Sequence, residues 1–377
     1  MHRYELSFRI PDDAVVMKPK VHYTNLWSRL FARSLFDTQW VLPLHERNNL
    51  TRFLEWYERH AMTLRLDGVR VDRPIFIISL PRSGSSMLQD LLCAHPDMAY
   101  ITNMMYFFPS CFCAAESLRK RLRINIKGER FLQDSVEVEG GSPSDPVGLW
   151  AAWLKQDPYS LEYADCRLTD FAPADIERIR TDIRRILWCF EGRATRFECK
   201  TPALLPHLQL LAELFPDGKF IHLVRDARMN ANSMLKLHRL CNEQLDRIRS
   251  SHGLGPAEQA FVPYPRLPRL AEYIREYGAD DIRTTAHLWD DAARFIADRR
   301  GGVPHFHEVR YEDIVSSPRA KLLELFEFCE LPPPPPSHLP FWDKLAKVGA
   351  VHHTNAYSNF DIVESICQDT LKQYGYR

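Results

Sequence analysis

The chain has 377 residues, of which 45% are apolar and 26% are charged, a balance typical of a globular protein with a sizeable core. Lysine and arginine together number 49, as do aspartate and glutamate, so no overall basic field favours binding to nucleic acid. The nine cysteines have no paired CxxC spacing, so we expect no metal site. Scattered thiols, and a start of the chain without the apolar core of a signal peptide, predict a cytoplasmic protein.

The first predicted element is an amphipathic helix at about residues 49–64, with Phe53 and Tyr57 on one face. It belongs to a segment, residues 1–73, that we interpret as an N-terminal helical extension. An apolar, β-branched run at residues 75–80 then predicts the first strand of the core.

This strand leads into a short polar turn at residues 81–86 (PRSGSS) and then into a helix-type pattern. The first N–H groups of a helix have no partner inside it, and the aligned peptide dipoles place partial positive charge there. Gly84 lets the backbone approach a ligand closely, the serines offer hydroxyl donors, and Arg82 adds a permanent charge. The turn is therefore predicted to hold a phosphate or sulfate, and its binding residues are Arg82, Ser83, Gly84, Ser85, Ser86 and Met87.

The turn differs from the phosphate-binding loop of nucleotide hydrolases. That loop reads G-x-x-x-x-G-K-[ST], where the lysine contacts the terminal phosphates and the hydroxyl binds magnesium. Here the turn is shorter, has one glycine and carries its cation, Arg82, before the glycine, and Gly-Lys-Ser/Thr occurs nowhere in the chain. An anion that needs no magnesium fits this pattern best. A Ser-Gly turn with a purely structural role stays an alternative.

Residues 98–115 contain no charged side chain. A membrane-spanning helix is not expected, because the stretch is interrupted by Asn103, Pro109 and other polar residues and is short. Two interpretations stay open: a buried structural segment, or the wall of a pocket for an apolar or aromatic ligand. In the second case the ligand-binding side chains are Tyr106, Phe107, Phe108 and Phe112.

The remaining elements alternate between helices and strands. Residues 98–170 are interpreted as an irregular cap and residues 250–268 as a surface loop. Helices are predicted at 173–190, 282–299 and 321–329, and strands at 196–200, 219–224 and 306–311. This alternation predicts an α/β fold, a three-layer sandwich with a mostly parallel central sheet and the ligand at the carboxyl ends of the strands.

A second anion site is predicted where the strand at 219–224 ends. Arg225 follows the strand, and Ser233 lies eight residues later, about two helical turns away. If a helix starts just after Arg225, both side chains face one side, and an arginine fork with a hydroxyl suits a second phosphate.

Together these segments resemble the sulfotransferases that use 3′-phosphoadenosine 5′-phosphosulfate (PAPS). Residues 81–86 are similar to the loop that holds the 5′-phosphosulfate, and Arg225 with Ser233 is similar to the pair that contacts the 3′-phosphate. The segment 198–202 (ECKTP) resembles the stretch before the 3′-phosphate site, and 311–314 (YEDI) resembles the family's Tyr-Glu-Asp segment. The resemblance extends in blocks over about residues 75–328.

The resemblance implies a P-loop-like sulfotransferase core at residues 74–331 and a C-terminal segment, 332–377, that closes over the nucleotide. It implies PAPS as the co-substrate and a small acceptor with a hydroxyl or amine. Positive charge fixed near the leaving phosphate stabilises the charge that grows there during transfer. Arg82 and Lys200 are expected to do this, and Lys347 is a further candidate contact to the 3′-phosphate.

The acceptor also needs a general base, and both positions that usually carry one are replaced here. Pro202 stands where one branch has a histidine, and Thr102 with Asn103 stands where another has a glutamate. His352 and His353 lie in the closing C-terminal segment and are the remaining candidates.

Two other functions stay open at the level of sequence: a P-loop-like nucleotide kinase, and a PAPS-fold protein that binds the nucleotide without turnover. The expected partner is a small-molecule acceptor, with no nucleic acid and no transmembrane segment. The sequence does not reveal the acceptor's identity or the oligomeric state, and a homodimer stays open.

Overall fold

The computed structural model describes residues 21–23, 49–124, 126–129, 137–157, 160–190, 194–251, 260–334, 355 and 357–376. It divides the chain into two compact units built from interleaved segments. The first unit comprises Met1–Leu64, Thr102–Ser144 and Arg239–Val262, and the second comprises Arg65–Ile101, Asp145–His238 and Pro263–Arg377. The three consecutive segments expected from the sequence remain a prediction about domain boundaries.

The strands, in chain order, are β1 (Val21–Tyr23), β2 (Ile75–Ser79), β3 (Met98–Tyr100), β4 (Ile126–Glu129), β5 (Glu137–Glu139), β6 (Arg196–Lys200), β7 (Lys219–Val224) and β8 (Phe306–Arg310). The helices are α1 (Asn49–His60), α2 (Ser85–Cys93), α3 (Asn103–Phe107), α4 (Phe112–Arg121), α5 (Val147–Trp153), α6 (Pro173–Cys189), α7 (Leu208–Leu214), α8 (Ala227–Ser251), α9 (Leu270–Tyr277), α10 (Ile282–Arg299), α11 (Tyr311–Ser316), α12 (Pro318–Phe328) and α13 (Phe360–Gln373). Short 3₁₀ turns lie at Leu168–Asp170, Pro202–His207 and Arg300–Gly302.

A parallel sheet of five strands, in the order β3-β6-β2-β7-β8, forms the centre of the second unit. β2, β6 and β7 are buried at every position. The sequence of β2 is an apolar run, as expected of a strand covered on both faces, whereas β6 alternates charged and apolar residues and buries Arg196, Glu198 and Lys200. A parallel order requires a crossover between strands, and helices supply it. All strands of this sheet therefore end at the same edge. The first unit contains the antiparallel sheet β1-β4-β5.

The two faces of β2 pack differently. On one face the Phe76 ring lies 5.5 Å from that of Phe220 and 6.2 Å from that of Trp150, within an aromatic layer. On the other face Ile75 and Ile77 join an aliphatic cluster with α2 and α12. Layers on both sides of a parallel sheet confirm the predicted three-layer α/β architecture.

Most predicted core elements are confirmed with small boundary changes. The strands predicted at 196–200 and 219–224 and the helix predicted at 282–299 have the bounds expected from the sequence. The cap is more regular than expected, because its described residues between 98 and 170 form short helices and strands as well as loops. Two later helices, α9 and α13, carry amphipathic patterns that the sequence interpretation did not assign.

The uncharged stretch at residues 98–115 is divided between β3, α3 and the start of α4. In the part of the chain that the structure describes, no helix is both long and apolar enough to cross a membrane. Within the first unit, α3 and α4 pack against α1, and Phe108 belongs to their shared apolar cluster.

A carboxyl group is buried in the sheet of the second unit. Glu198 on β6 is 0% exposed, and its Oε2 accepts hydrogen bonds from Gln89 Nε2 at 3.0 Å and Cys93 Sγ at 3.2 Å. Its Oε1 has no hydrogen-bond partner among the described residues. Burial raises the pKa of Glu198 from its usual 4.5 to about 7, although these two hydrogen bonds act in the opposite direction.

A raised carboxyl pKa contributes stability that is complete below pH 4.5 and is lost as the pH rises through about 7. Replacing the carboxyl by an amide removes this loss. We expect Glu198→Gln to exceed the wild type in free energy of unfolding by roughly 3 kcal/mol at pH 8.5, at about 1.36 kcal/mol per pKa unit. At pH 4.5 the two should be similar.

Denaturant unfolding at both pH values measures this difference. Glu327→Gln, at an exposed position of α12, is the matched control and should change little. A Glu198→Gln protein no more stable than the wild type at pH 8.5 would show that burial does not raise the pKa of this carboxyl.

Candidate functional site

Charged and polar residues collect at the carboxyl edge of the parallel sheet. The turn at 81–86 follows β2, Lys200 ends β6, and Arg225 follows β7 directly. Tyr311 follows β8. Because parallel strands end at one edge, segments far apart in the chain meet there, as the sequence pattern predicts.

The turn after β2 adopts a tight backbone conformation before α2. Gly84 has φ 93° and ψ 8°, in the left-handed region, and occupies the position that caps α2. Arg82 also has a positive φ, 67°. The hydroxyl of Ser83 donates to the Leu80 carbonyl at 2.8 Å, so it shapes the turn from within. Asn230 of α8 holds the turn from outside by donating to the Pro81 carbonyl at 3.1 Å.

The ring of Tyr311 lies against Gly84. A Cβ atom built on Gly84 would lie 2.3 Å from Cδ2 and 2.5 Å from Cε2 of Tyr311, which is inside van der Waals contact. Glycine is therefore required here twice, by its left-handed conformation and by the aromatic ring. The contact fixes the turn against the segment that follows β8.

Arg225 joins the same cluster from the end of β7. Its Nη1 donates to the Arg82 carbonyl at 3.0 Å, and its guanidinium carbon lies 4.6 Å from the centre of the Tyr311 ring. Trp289 donates to the Arg225 carbonyl at 2.9 Å and so fixes the backbone. The Nε of Arg225 is buried and, within the described ranges, has no hydrogen-bond acceptor. A buried guanidinium N–H without an acceptor favours an anionic ligand.

Ser233 contacts the turn by a hydrogen bond with the Arg82 side chain. Arg82 Nε donates to Ser233 Oγ at 3.1 Å. Arg225 and Ser233 thus both contact Arg82, one through its carbonyl and the other through its side chain. The two anion sites predicted separately from the sequence are adjacent in space.

Lys200 reaches the other side of the turn. Its side chain is 4% exposed, and its Nζ lies 3.3 Å from Ser86 Oγ, in the first turn of α2. The same Nζ forms an ion pair with Asp145 at 2.9 Å. Asp145 was not identified from the sequence. It lies in a segment rich in glycine, serine and proline, residues 140–146, and this pattern indicates a loop but not an ion pair with Lys200.

A network of charged residues, of which Asp226 is fully buried, supports the cluster. The backbone N–H of Asp226 donates to Glu312 Oε1 at 3.1 Å, and the Tyr376 hydroxyl donates to Glu312 Oε2 at 2.8 Å. Asp226 also pairs with Arg228 at 2.6 Å, and this carboxylate raises the pKa of Arg228 above its usual value. The Tyr-Glu-Asp segment is thus tied both to the end of β7 and to the residues after α13.

The residues at the positions that usually carry a general base have local structural roles. Thr102 caps α3 by accepting from the Met105 N–H at 3.2 Å, and Asn103 donates to the Glu139 carbonyl at 2.9 Å. Pro202 begins a 3₁₀ turn. His352, His353 and Lys347 lie outside the described residues.

The remaining predicted ligand-binding residues stay predictions. Tyr106, Phe108 and Phe112 are buried in the first unit, where Phe107 is half-buried. Met87 is half-buried on the aliphatic cluster beside β2.

Residues 74–335 match the sequence model of a family described as the sulfotransferase family. The omega-hydroxy-beta-dihydromenaquinone-9 sulfotransferase Stf3 of Mycobacterium bovis is 25% identical over 324 residues, covering 82% of this chain and 76% of that protein. An uncharacterized protein of Aquifex aeolicus is 22% identical over 268 residues, covering 69% of this chain and 26% of that protein. Among solved structures, the sulfotransferase STF9 from Mycobacterium avium aligns with a TM-score of 0.49 and 15% identity, over 85% of this chain and 81% of that chain.

The contact between Gly84 and Tyr311 can be tested by adding a methyl group. We expect Gly84→Ala to destabilise the protein by about 1–2 kcal/mol from its left-handed conformation, and by about 1–3 kcal/mol more from the clash with the ring. Gly68→Ala is the matched control, because Gly68 has φ 85° and no atom within 4 Å of its added Cβ.

Urea unfolding of both variants gives the difference. Adding Tyr311→Ala should remove the extra loss in Gly84→Ala but leave Gly68→Ala unchanged. Equal destabilisation of the two glycine variants, with no rescue, would contradict the close contact.

Proposed function

Because the chain belongs to the sulfotransferase family, it is an enzyme that transfers sulfuryl groups, and we propose that its donor is PAPS and its acceptor an apolar molecule with a hydroxyl group. The observation that carries the donor assignment is the convergence of Arg225 and Ser233 on Arg82, beside the N-terminus of α2. A nucleotide with phosphates at both its 3′ and 5′ positions needs two anion contacts within a short distance of each other.

The residues present fit such a donor. The first turn of α2, approached through Gly84, offers backbone N–H groups and the positive end of a helix dipole to the 5′-phosphosulfate. Arg225 has a buried Nε without an acceptor among the described residues, and Arg225 and Ser233 both contact Arg82, an arrangement that suits the 3′-phosphate. The site supplies these charges through protein groups, with arginine and lysine near the turn.

In this proposal Lys200 stabilises the leaving group. Its Nζ is held at Ser86, where the 5′ end of the donor would lie. As the bond from sulfur to the bridging oxygen breaks, negative charge grows on the phosphate. A lysine fixed in place before the reaction stabilises that charge without reorganising solvent. Arg82 acts on the same group from the turn itself.

The acceptor assignment is supported by a similar protein and by the aromatic residues of this chain. The relative from Mycobacterium bovis is named for a hydroxylated menaquinone, a long apolar molecule, and that acceptor class is proposed here by similarity. In this chain the aromatic residues at 106–108 and 112 suit an apolar or aromatic acceptor. Their role in binding it is part of the proposal.

The donor assignment is tested by comparing nucleotides. We expect adenosine 3′,5′-bisphosphate to raise the melting temperature, because it binds the folded state alone, and ATP with magnesium to raise it far less. The 3′-phosphate should account for the difference, so adenosine 5′-monophosphate should resemble ATP. Equal stabilisation by adenosine 3′,5′-bisphosphate and magnesium-ATP would contradict the proposal and favour a nucleotide kinase.

The 3′-phosphate contact is tested by Arg225→Ala. Each charged hydrogen bond contributes about 1.5–3 kcal/mol, so losing a two-bond fork should weaken binding of adenosine 3′,5′-bisphosphate by roughly 10²–10⁴-fold. Ser233→Ala should weaken it about tenfold.

Isothermal titration with adenosine 3′,5′-bisphosphate and with adenosine 5′-monophosphate separates this contact from damage to the turn. Arg283→Ala, on an exposed arginine of α10, is the matched control for the lost charge. If Arg225→Ala weakens both nucleotides equally, Arg225 supports the turn and does not bind the 3′-phosphate.

A further inference from the structure

The Asp145 carboxylate lies at the site but has no role in the proposed function so far. Its Oδ2 lies 2.9 Å from Lys200 Nζ, and the same Nζ lies 3.3 Å from Ser86 Oγ at the first turn of α2. Lys200 therefore lies between Asp145 and the place where the proposed donor carries its sulfuryl group. Its side chain is 42% exposed, so it is open to a second substrate and to solvent.

The position of Asp145 is set by the fold. Pro146 restricts the backbone on one side, and the Asp145 carbonyl accepts from the Val147 N–H at 2.9 Å as α5 begins. From α5, Trp150 Nε1 donates to Cys199 Sγ at 3.2 Å, next to Lys200 on the same strand. Helix α5 is thus anchored to β6, which holds the carboxylate beside the lysine.

Other carboxylates and histidines of the second unit near the sheet edge are engaged elsewhere. Glu198 is fully buried and accepts from Gln89 and Cys93, and Glu312 accepts from Tyr376. His222 pairs with Glu308 at 3.0 Å, away from the turn. Burial lowers the pKa of His207 to about 4, and its ring contacts Gln156. Of the described residues, Asp145 is the acid in contact with Lys200.

We propose that Asp145 is the general base of the transfer reaction, taking the role that Pro202, Thr102 and Asn103 leave unfilled. The inference rests on the proposed function and assigns a catalytic residue to it. It places the base on the loop before α5, at a position that no residue pattern indicates.

The step balances as follows. The Asp145 carboxylate accepts the proton of the acceptor hydroxyl while the acceptor oxygen forms its bond to sulfur. The bond between sulfur and the bridging oxygen breaks, and its electron pair stays on the phosphate of adenosine 3′,5′-bisphosphate, where Lys200 stabilises it. Asp145 then releases its proton to solvent through its exposed side. No metal ion or oxidant enters the step.

The ion pair with Lys200 also has a function in this scheme. The two contacts of Nζ, one to Ser86 and one to Asp145, place the lysine between the two proposed substrates. When the leaving phosphate gains charge, it attracts the ammonium more strongly than a single carboxylate does. The carboxylate, less stabilised by the ammonium, is then a stronger base for the acceptor proton.

The test compares two acceptors that differ in their need for a base. A long-chain alcohol, dodecanol, must lose its proton during transfer, whereas para-nitrophenol ionises readily without help. With PAPS as donor, Asp145→Asn should lower kcat/KM for dodecanol by about 10²–10⁴-fold and should affect para-nitrophenol far less. Lys200→Ala should impair both acceptors, because it acts on the leaving group that they share.

The ratio of the two rates, measured for each protein, does not depend on the fraction that is folded. Binding of adenosine 3′,5′-bisphosphate checks the nucleotide site, and Asp145→Glu should restore part of the dodecanol rate. Asp298→Asn, on an exposed carboxylate of α10, controls for the lost charge and should leave the ratio unchanged.

Two results would overturn the assignment. Equal loss with both acceptors would show that Asp145 positions Lys200, and an unchanged ratio with full activity would show that another group takes the proton. A wild-type protein that binds adenosine 3′,5′-bisphosphate but transfers to neither alcohol nor phenol would instead overturn the proposed function. The two failures are therefore distinguishable.

Discussion

The site depends on holding three cations close together in a chain whose charges otherwise cancel. Arg82, Arg225 and Lys200 repel one another, so the fold must offset that repulsion before any anion binds. It does so with partial and full negative charge: the Arg82 carbonyl and the face of Tyr311 for Arg225, and Asp145 for Lys200. Arg225 and Lys200 are thereby fixed in position before an anion binds.

The same contacts explain why the turn after β2 has its particular shape. Gly84 must lie under Tyr311, and Arg82 must turn its carbonyl towards Arg225 while its side chain reaches Ser233. A left-handed glycine two residues after an arginine with positive φ satisfies both demands. Strain of this kind persists where the surroundings determine it, and it is common at ligand sites. The buried pair of Asp226 and Arg228 and the bond from Tyr376 to Glu312 supply that surrounding support.

Much of this arrangement could be predicted from residue patterns. The apolar run of β2 is long enough to predict a buried strand, and the polar turn after β2 predicts an anion loop by local chemistry alone. The spacing of Arg225 and Ser233 indicates a shared helix face. Asp145 could not be found this way, because an aspartate between Ser144 and Pro146 is typical of any surface loop. Its role is indicated only by its contact with Lys200 of β6 in the folded structure.

The sequence by itself determined the parallel α/β core, the turn at 81–86 and the class of ligand, since each depends on neighbouring residues and on short-range periodicity. Only the tertiary structure decided which charges meet. The contacts at the site join residues far apart in the chain. Arg82 and Ser233 are 151 residues apart, Arg225 and Tyr311 are 86 apart, and Lys200 and Asp145 are 55 apart. A shared edge follows from a parallel sheet, but which residues meet there follows from the strand order and the packing of the loops, which no local pattern specifies.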